Sequence, residues 1–268
     1  MTSPDPQTVA AIVREVAETV VLPRFRALEA HEIHEKGPGD LVTIADRESE
    51  AALARRLTDL LPGSLVVGEE AAAADGSVLA HLSDDRPVWV IDPVDGTHNF
   101  AHGDPTFALI LALVEGGATR RGWIYLPIDR EMAIAEQGGG AWIDGSRMAV
   151  DQPERLDALV GGVTYSLFAP MPRETVKARC AAFRQCRNLR CAGREYVDMS
   201  RGRRHFSFMK NLKPWDHAAG VLMHREAGGY AARAADETPY RLVDPGIGLL
   251  VAPNRDLWHR IRDHFNGV

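Results

Sequence analysis

Residues 88–97 read Val-Trp-Val-Ile-Asp-Pro-Val-Asp-Gly-Thr. The first four form an unbroken apolar run of the length a buried strand needs. The run leads directly into two carboxylates, Asp92 and Asp95, set among the turn formers Pro93 and Gly96. Asp-Gly and Asp-Pro are each common in turns. Joined to the end of an apolar strand, they place two acids at the rim of a sheet, where sites form.

Two further acidic clusters share this placement. Upstream, Leu65-Val66-Val67 runs into Gly68-Glu69-Glu70. Downstream, Trp215-Asp216 opens an apolar helix. A Glu-Glu pair in a loop is ordinarily solvated, and an aspartate at a helix start is ordinarily an N-cap. If the three ends converge, however, they present an oxygen-only donor set. Such a set suits a hard cation such as Mg2+ or Mn2+ rather than zinc, because neither His nor Cys belongs to it.

The flanking segments predict an α/β fold, with an α+β N-terminal half and an α/β C-terminal half. Pro6 after Asp5 marks a helix start, followed by Val9, Ile12, Val13 and Val16 at helical spacing. This helix is expected to reach about Leu28, kinked or ended by Pro23. A loop around Gly37-Pro38-Gly39 follows. Thr43 and Asp46 then form a capping box for a second helix carrying Leu53, Leu57, Leu60 and Leu61, stopped by Pro62-Gly63. After the strands at 65–67 and 88–91, further strands are expected at 107–114, 122–126 and 132–135, with a tight hairpin at Gly138-Gly139-Gly140. In the second half, 159–163, 189–191, 206–208 and 249–251 read as strands. Segments 173–186, 194–201, 215–227 and 255–265 read as helices. This order suggests two joined subdomains, 1–150 carrying most of the acidic clusters and 151–268 carrying Asp216. The glycines form no strand-GxGxxG-helix or GxxxxGK[ST] unit and read as turn chemistry.

Bulk properties narrow the function further. The 268 residues are 45% hydrophobic and 25% charged, which is ordinary globular composition. A net charge of −6 supplies no overall basic field for nucleic acid. No apolar stretch approaches the ~20 residues of a membrane span. The N-terminus lacks the basic and apolar regions of a secretory signal. Cys180, Cys186 and Cys191 are odd in number and lack CxxC spacing. They read as reduced thiols, and the expected location is the cytoplasm.

Residues 89–100, WVIDPVDGTHNF, with GEE at 68–70 and PWDHAAG at 214–220, resemble the inositol monophosphatase family. The segment from Lys36 to Asp46 and EAGG at 226–229 extend the resemblance over nearly the whole chain. It implies a layered αβαβα sandwich of the inositol monophosphatase/fructose-1,6-bisphosphatase type and Mg2+-dependent hydrolysis of a small phosphorylated metabolite by a homodimer. Two or three Mg2+ per site are implied, with Mn2+ able to substitute.

Carried across, the family's roles make Glu69, Asp92, Asp95 and Asp216 metal ligands, with Val94 contributing its carbonyl. Thr97 and Asp46 would orient and deprotonate the attacking water, and Glu70 and Lys36 would support the metals. Gly96 and Thr97 would offer backbone N–H groups to the phosphate, and Ala192 and Glu195 would lie beside the substrate. The chemistry explains these residue types. A phosphomonoester dianion repels hydroxide, and two cations about 4 Å apart gather the phosphate oxygens, acidify water and stabilise the leaving alkoxide.

The substrate-facing part departs from the pattern. Where many relatives carry Gly-Ser/Thr-Ala before a helix, this chain has Arg190-Cys191-Ala192-Gly193. Where they place a hydroxyl-binding Glu, six residues before the Trp, it has Met209, which is a poor acceptor for a polyol. Arg194 and Glu195 are candidate polar contacts, Arg203-Arg204 read as surface charge, and the ten histidines read as structural or solvated. Histidinol phosphate and nucleotide 3′-phosphates therefore stand as alternative substrates. A metal-binding regulatory protein with weak turnover stands as the alternative class.

Overall fold

The computed structural model describes residues 3–37, 40–244 and 246–266. Asp5 caps α1 (Pro6–Val16) by accepting from the Thr8 N–H. One π-helical turn (Ala17–Val21) and a 3₁₀ turn (Leu22–Arg24) carry the helix on through Pro23. A hairpin of β1 (Ile33–Gly37) and β2 (Asp40–Thr43) follows. Pro38 and Gly39 of the expected loop lie outside the described residues. The expected capping box opens α2 (Ile44–Leu60), with the Thr43 N–H donating to Asp46 Oδ2 at 2.8 Å.

Then come β3 (Leu65–Gly68), α3 (Glu69–Ala74), β4 (Val88–Asp95) and α4 (Thr97–Ala101). A meander of β5 (Ala108–Glu115), β6 (Ala118–Leu126), β7 (Glu131–Glu136), β8 (Gly140–Ile143) and β9 (Ser146–Arg147) completes a seven-stranded sheet in the order β3 to β9. The remaining chain forms β10 (Val160–Val163), α5 (Arg173–Cys180), β11 (Gln185–Cys186), α6 (Ala192–Ser200), β12 (Phe206–Asn211), α7 (Pro214–Glu226), β13 (Tyr230–Arg233), β14 (Ile247–Ala252) and α8 (Arg255–Asn266). Its five strands pair in the order β11-β10-β12-β14-β13.

Side-chain alternation builds the layers. On the large sheet, Trp89, Ile91, Leu109, Leu111, Leu113 and Trp123 pack under α1 and α2. Their neighbours Val88, Val90, Ile110, Ala112 and Ile124 face the other way, toward Tyr196, Val197, Ala219 and Met223 of α6 and α7. Those two helices also meet Met209, Leu249 and Val251 of the small sheet. The opposite face of that sheet, with Phe206, Phe208 and Leu250, packs on Val176 of α5 and Trp258, Ile261 and Phe265 of α8. The result is the five-layer αβαβα sandwich. With both faces covered, β4 and most of β5 need continuous apolar sequence rather than alternation. The central helices approach closely: a Cβ on Gly220 would lie 2.0 Å from Tyr196 Cδ2.

Several elements differ from the sequence reading. The helix begun at Arg173 ends at Cys180, and Gln185–Cys186 forms an edge strand parallel to β10. Residues 189–191 are not a strand: they form the turn that delivers α6, with Arg190 at a φ of 54°. The hairpin β1–β2 and strand β13 were not anticipated, because their residues are short and polar or alanine-rich.

Candidate active site

The core of the site lies where β4 ends between the two central helices. Asp92 and Asp95, from the last turn-like residues of β4, meet Asp216 from the first turn of α7, and one carboxylate oxygen from each lies within 4.8 Å of the others. Asp92 is 2% exposed, and its Oδ1 is buried without a hydrogen-bond partner among the described residues. Burial, and then the neighbouring carboxylates Glu69, Asp95 and Asp216, push the Asp92 pKa well up. Asp216 rises in the same way from burial, Asp95 and Glu69. Three acids so placed repel one another, and the orphaned oxygen has no donor. A hard divalent cation resolves both problems, and the all-oxygen donor set fits Mg2+ or Mn2+.

Asp95 also carries a structural load. Its carboxylate accepts from the Ala192 N–H at 3.0 Å, the Gly193 N–H at 2.7 Å and the Cys191 thiol at 3.0 Å. It thereby satisfies the free amides at the start of α6. Gly193 is needed there, because a Cβ would come within 2.9 Å of Ala108 Cβ and 3.2 Å of Asp95 Oδ2.

Glu69 and Glu70 begin α3 beside this triplet. Glu69 is not one of the three converging acids: its Oε1 accepts from Lys36 Nζ at 2.8 Å, and Glu70 Oε1 does the same. Burial raises Glu69 to about 7 against the opposing pull of Lys36. Burial works against the Lys36 ammonium, but Glu69 and Glu70 outweigh it and raise its pKa. Glu50 on α2 holds the Glu69-Glu70 turn by accepting from the Glu70 and Ala71 N–H groups at 2.8 Å each. Gly68 leaves room for it, since a Cβ would sit 2.2 Å from Glu50 Cδ. The sequence reading missed Glu50; its only signal was its place one turn beyond Asp46 on the same helix.

On the other side, Thr97 Oγ1 donates within 3.0 Å of both Asp46 Oδ1 and the Val94 carbonyl. Asp46 is 1% exposed; its second oxygen is held by the Thr43 N–H and hydroxyl. Burial raises Asp46 to about 6, opposed by the bonds from Thr43 and Thr97. Gly96 makes the bend at a φ of 88°, with the Arg190 carbonyl 3.2 Å from where a Cβ would be. Asn99, also missed from the sequence, ties that turn down by donating to the Thr106 and Leu189 carbonyls.

A cavity of about 250 Å³ opens from Asp95 and Asp216 between Ala192, Arg190, Met209 and Lys210. Glu195 borders it, but its carboxylate accepts from the Leu189 N–H at 2.9 Å and the Ser207 hydroxyl, with Arg204 3.7 Å away. Arg204 is thus buried rather than a surface charge, because Glu195 and the Arg187 carbonyl hold it inside. Arg194 pairs with Asp129 and Asp198. His217 donates from Nε2 to the Asn211 carbonyl and so accepts the Tyr196 hydroxyl at Nδ1; burial drops it to about 4, so it is a neutral brace for α7. A larger cavity of about 650 Å³, between Tyr240, Arg225 and Val243, contains none of the converging acids.

The sequence profile of the inositol monophosphatase family matches residues 5–264. The chain belongs to this family. It is 34% identical over 191 residues to a fructose-1,6-bisphosphatase/inositol-1-monophosphatase of Thermotoga maritima, covering 71% of this chain and 70% of that one. It is 32% identical over 210 residues to the Nus factor SuhB of Vibrio cholerae, covering 77% and 76%. Among solved structures, a Thermotoga maritima inositol monophosphatase superposes with a TM-score of 0.82 at 26% identity, covering 97% of this chain and 95% of that one. The five-layer architecture is therefore that of the inositol monophosphatase family.

Proposed function

We propose that this member of the family is a divalent-metal-dependent phosphomonoesterase acting on a small phosphorylated metabolite. The convergence of Asp92, Asp95 and Asp216 around an unpartnered carboxylate oxygen carries the reading. Glu69, Asp92, Asp95, Asp216 and the Val94 carbonyl would hold Mg2+, which supplies Lewis-acid charge and an acidified water. Glu70 and Lys36 position Glu69. Asp46 fixes the Thr97 hydroxyl and, near neutral pH, is charged enough to take a proton through it. The Gly96 and Thr97 N–H groups at the Gly96 bend would donate to the phosphate. Ala192 and Met209 line the leaving-group side, with Glu195 bracing the wall. The ligands divide between residues 1–150 and 151–268, so both halves are needed for one site.

Phosphate release from a chromogenic aryl phosphate tests this directly. Turnover should require millimolar Mg2+ or Mn2+ and vanish with chelator; full turnover after EDTA and dialysis would refute the reading. A second reading, a metal-binding regulatory protein, draws on the relative named Nus factor SuhB. It predicts metal binding without turnover on any ester.

Met209 bears on the substrate. It offers no strong acceptor at the cavity where a polyol would be desolvated, and Glu195 is already engaged. A missing acceptor forfeits roughly 1–3 kcal/mol. Inositol monophosphate should then be a poor substrate beside the best one in a release screen over inositol phosphates, sugar bisphosphates, histidinol phosphate and adenosine bisphosphate. Met209→Glu should improve it more than an aryl phosphate. A native preference for inositol monophosphate would overturn this assignment. A cytoplasmic homodimer completes the proposal.

A further inference from the structure

The chain carries three cysteines, and two of them meet beside the edge of the small sheet. Cys180 is the last residue of α5 and Cys186 lies in the edge strand β11, with their Sγ atoms 2.7 Å apart. Both are free thiols. A disulfide bond is about 2.05 Å long, so the sulfurs need to close by only about 0.7 Å. Cys180 is buried and Cys186 half-buried, but Ala181, Ala182, Arg184 and Gln185 around them are exposed, so a small oxidant can reach the pair. Cys191 stands apart: it is buried, and its thiol donates to Asp95.

We infer that Cys180 and Cys186 are a modification site, a vicinal thiol pair that peroxide converts into an intramolecular disulfide. The pair shares a proton: the bond from Cys186 lowers the Cys180 pKa and in return raises that of Cys186. The thiolate so favoured attacks one oxygen of hydrogen peroxide. The O–O bond breaks, and the departing hydroxide takes a proton and leaves as water. The sulfenic acid formed is then attacked by the second thiol, the S–S bond forms, and a second water departs. Two thiols and one peroxide give one disulfide and two waters, with two electrons passing from sulfur to oxygen. Cys191 does not compete, because it is buried and its thiol is engaged on Asp95, away from the Cys180–Cys186 pair.

The bridge has a defined place in the fold. It joins the end of α5 to the strand from which residues 187–191 run to the wall of the 250 Å³ cavity. The root of that segment becomes covalently anchored, independently of whether the site turns over any ester.

The test uses the full chain, reduced, freed of reductant, and exposed to one to a few equivalents of hydrogen peroxide. It is then denatured and labelled with N-ethylmaleimide. Reduced protein should take three labels and oxidised protein one, on Cys191, with an unlabelled mass about 2 Da lower. Trypsin should release peptides 180–184 and 185–187 joined to each other, and dithiothreitol should restore three labels. Cys186→Ser should form no cross-link at the same peroxide dose, because a sulfenic acid on Cys180 then has no second thiol to meet. Three labels on peroxide-treated wild type, a link involving Cys191, or oxidation to sulfinic acid without a cross-link would each overturn the inference.

Discussion

Thr97 shows how little freedom a reactive hydroxyl has here. Its Oγ1 sits 3.0 Å from Asp46 Oδ1, and Asp46 in turn is locked by both polar groups of Thr43. Removing the hydroxyl leaves the acids and the cavity in place, so the loss should fall on the step rather than on binding. Thr97→Ala is expected to reduce kcat by about 10²-fold or more while KM changes little. Steady-state kinetics at saturating Mg2+ read both; unchanged kcat with a raised KM would move Thr97 to a binding role. The Thr43–Asp46 capping box is a local signal legible in the sequence, whereas the roles of Thr97 and Asp46 come with the family resemblance of the DGT turn. Glu50 and Asn99 could not be singled out, since their partners are backbone groups 20 and 90 residues away.

At the scale of elements, close packing of α6 on α7 sets the position of Asp216. Gly220 faces the fully buried Tyr196 ring, whose hydroxyl is fixed on His217, so the ring has nowhere to yield. Gly220→Ala should cost about 2 kcal/mol in urea unfolding despite alanine's better helix propensity. Gly76→Ala, with nothing within 4 Å of the added Cβ, should change stability by less than about 0.5 kcal/mol. Equal effects would show that helix contact is not what fixes Gly220. The same packing explains which elements could be read in advance. β4 and β5 are covered on both faces, so their apolar runs speak for themselves. The 187–191 turn looks strand-like because Leu189 and Cys191 are apolar, yet they are held by Glu195 and Asp95 rather than by a neighbouring strand.

For the molecule as a whole, the acids at its centre make stability depend on pH and on metal together. Glu69 at about 7 and Asp46 at about 6 both lie above the unfolded carboxylate range, so the native state binds more protons than the unfolded one. Their contribution is full below the unfolded pKa, near 4, and is lost as pH rises through 6 to 7. Metal-free protein should therefore lose thermal stability between pH 5 and 8 from these groups. Mg2+ competes with those protons, so its stabilising effect should be larger at pH 8 than at pH 5.5. Thermal unfolding at both pH values, with EDTA or with 10 mM Mg2+ (roughly the millimolar range a carboxylate site needs), measures the difference. A Mg2+ shift that is larger at pH 5.5 would contradict the proton-competition account.

The central claim is that Asp92, Asp95 and Asp216 hold the catalytic metal. Crystals soaked in Mn2+ and measured at the manganese absorption edge test it most directly. An anomalous peak should appear among the three carboxylates, in contact with the Asp92 Oδ1 that has no partner among the described residues. A Mn2+-activated enzyme with no peak there, or with its peaks only elsewhere, would contradict it.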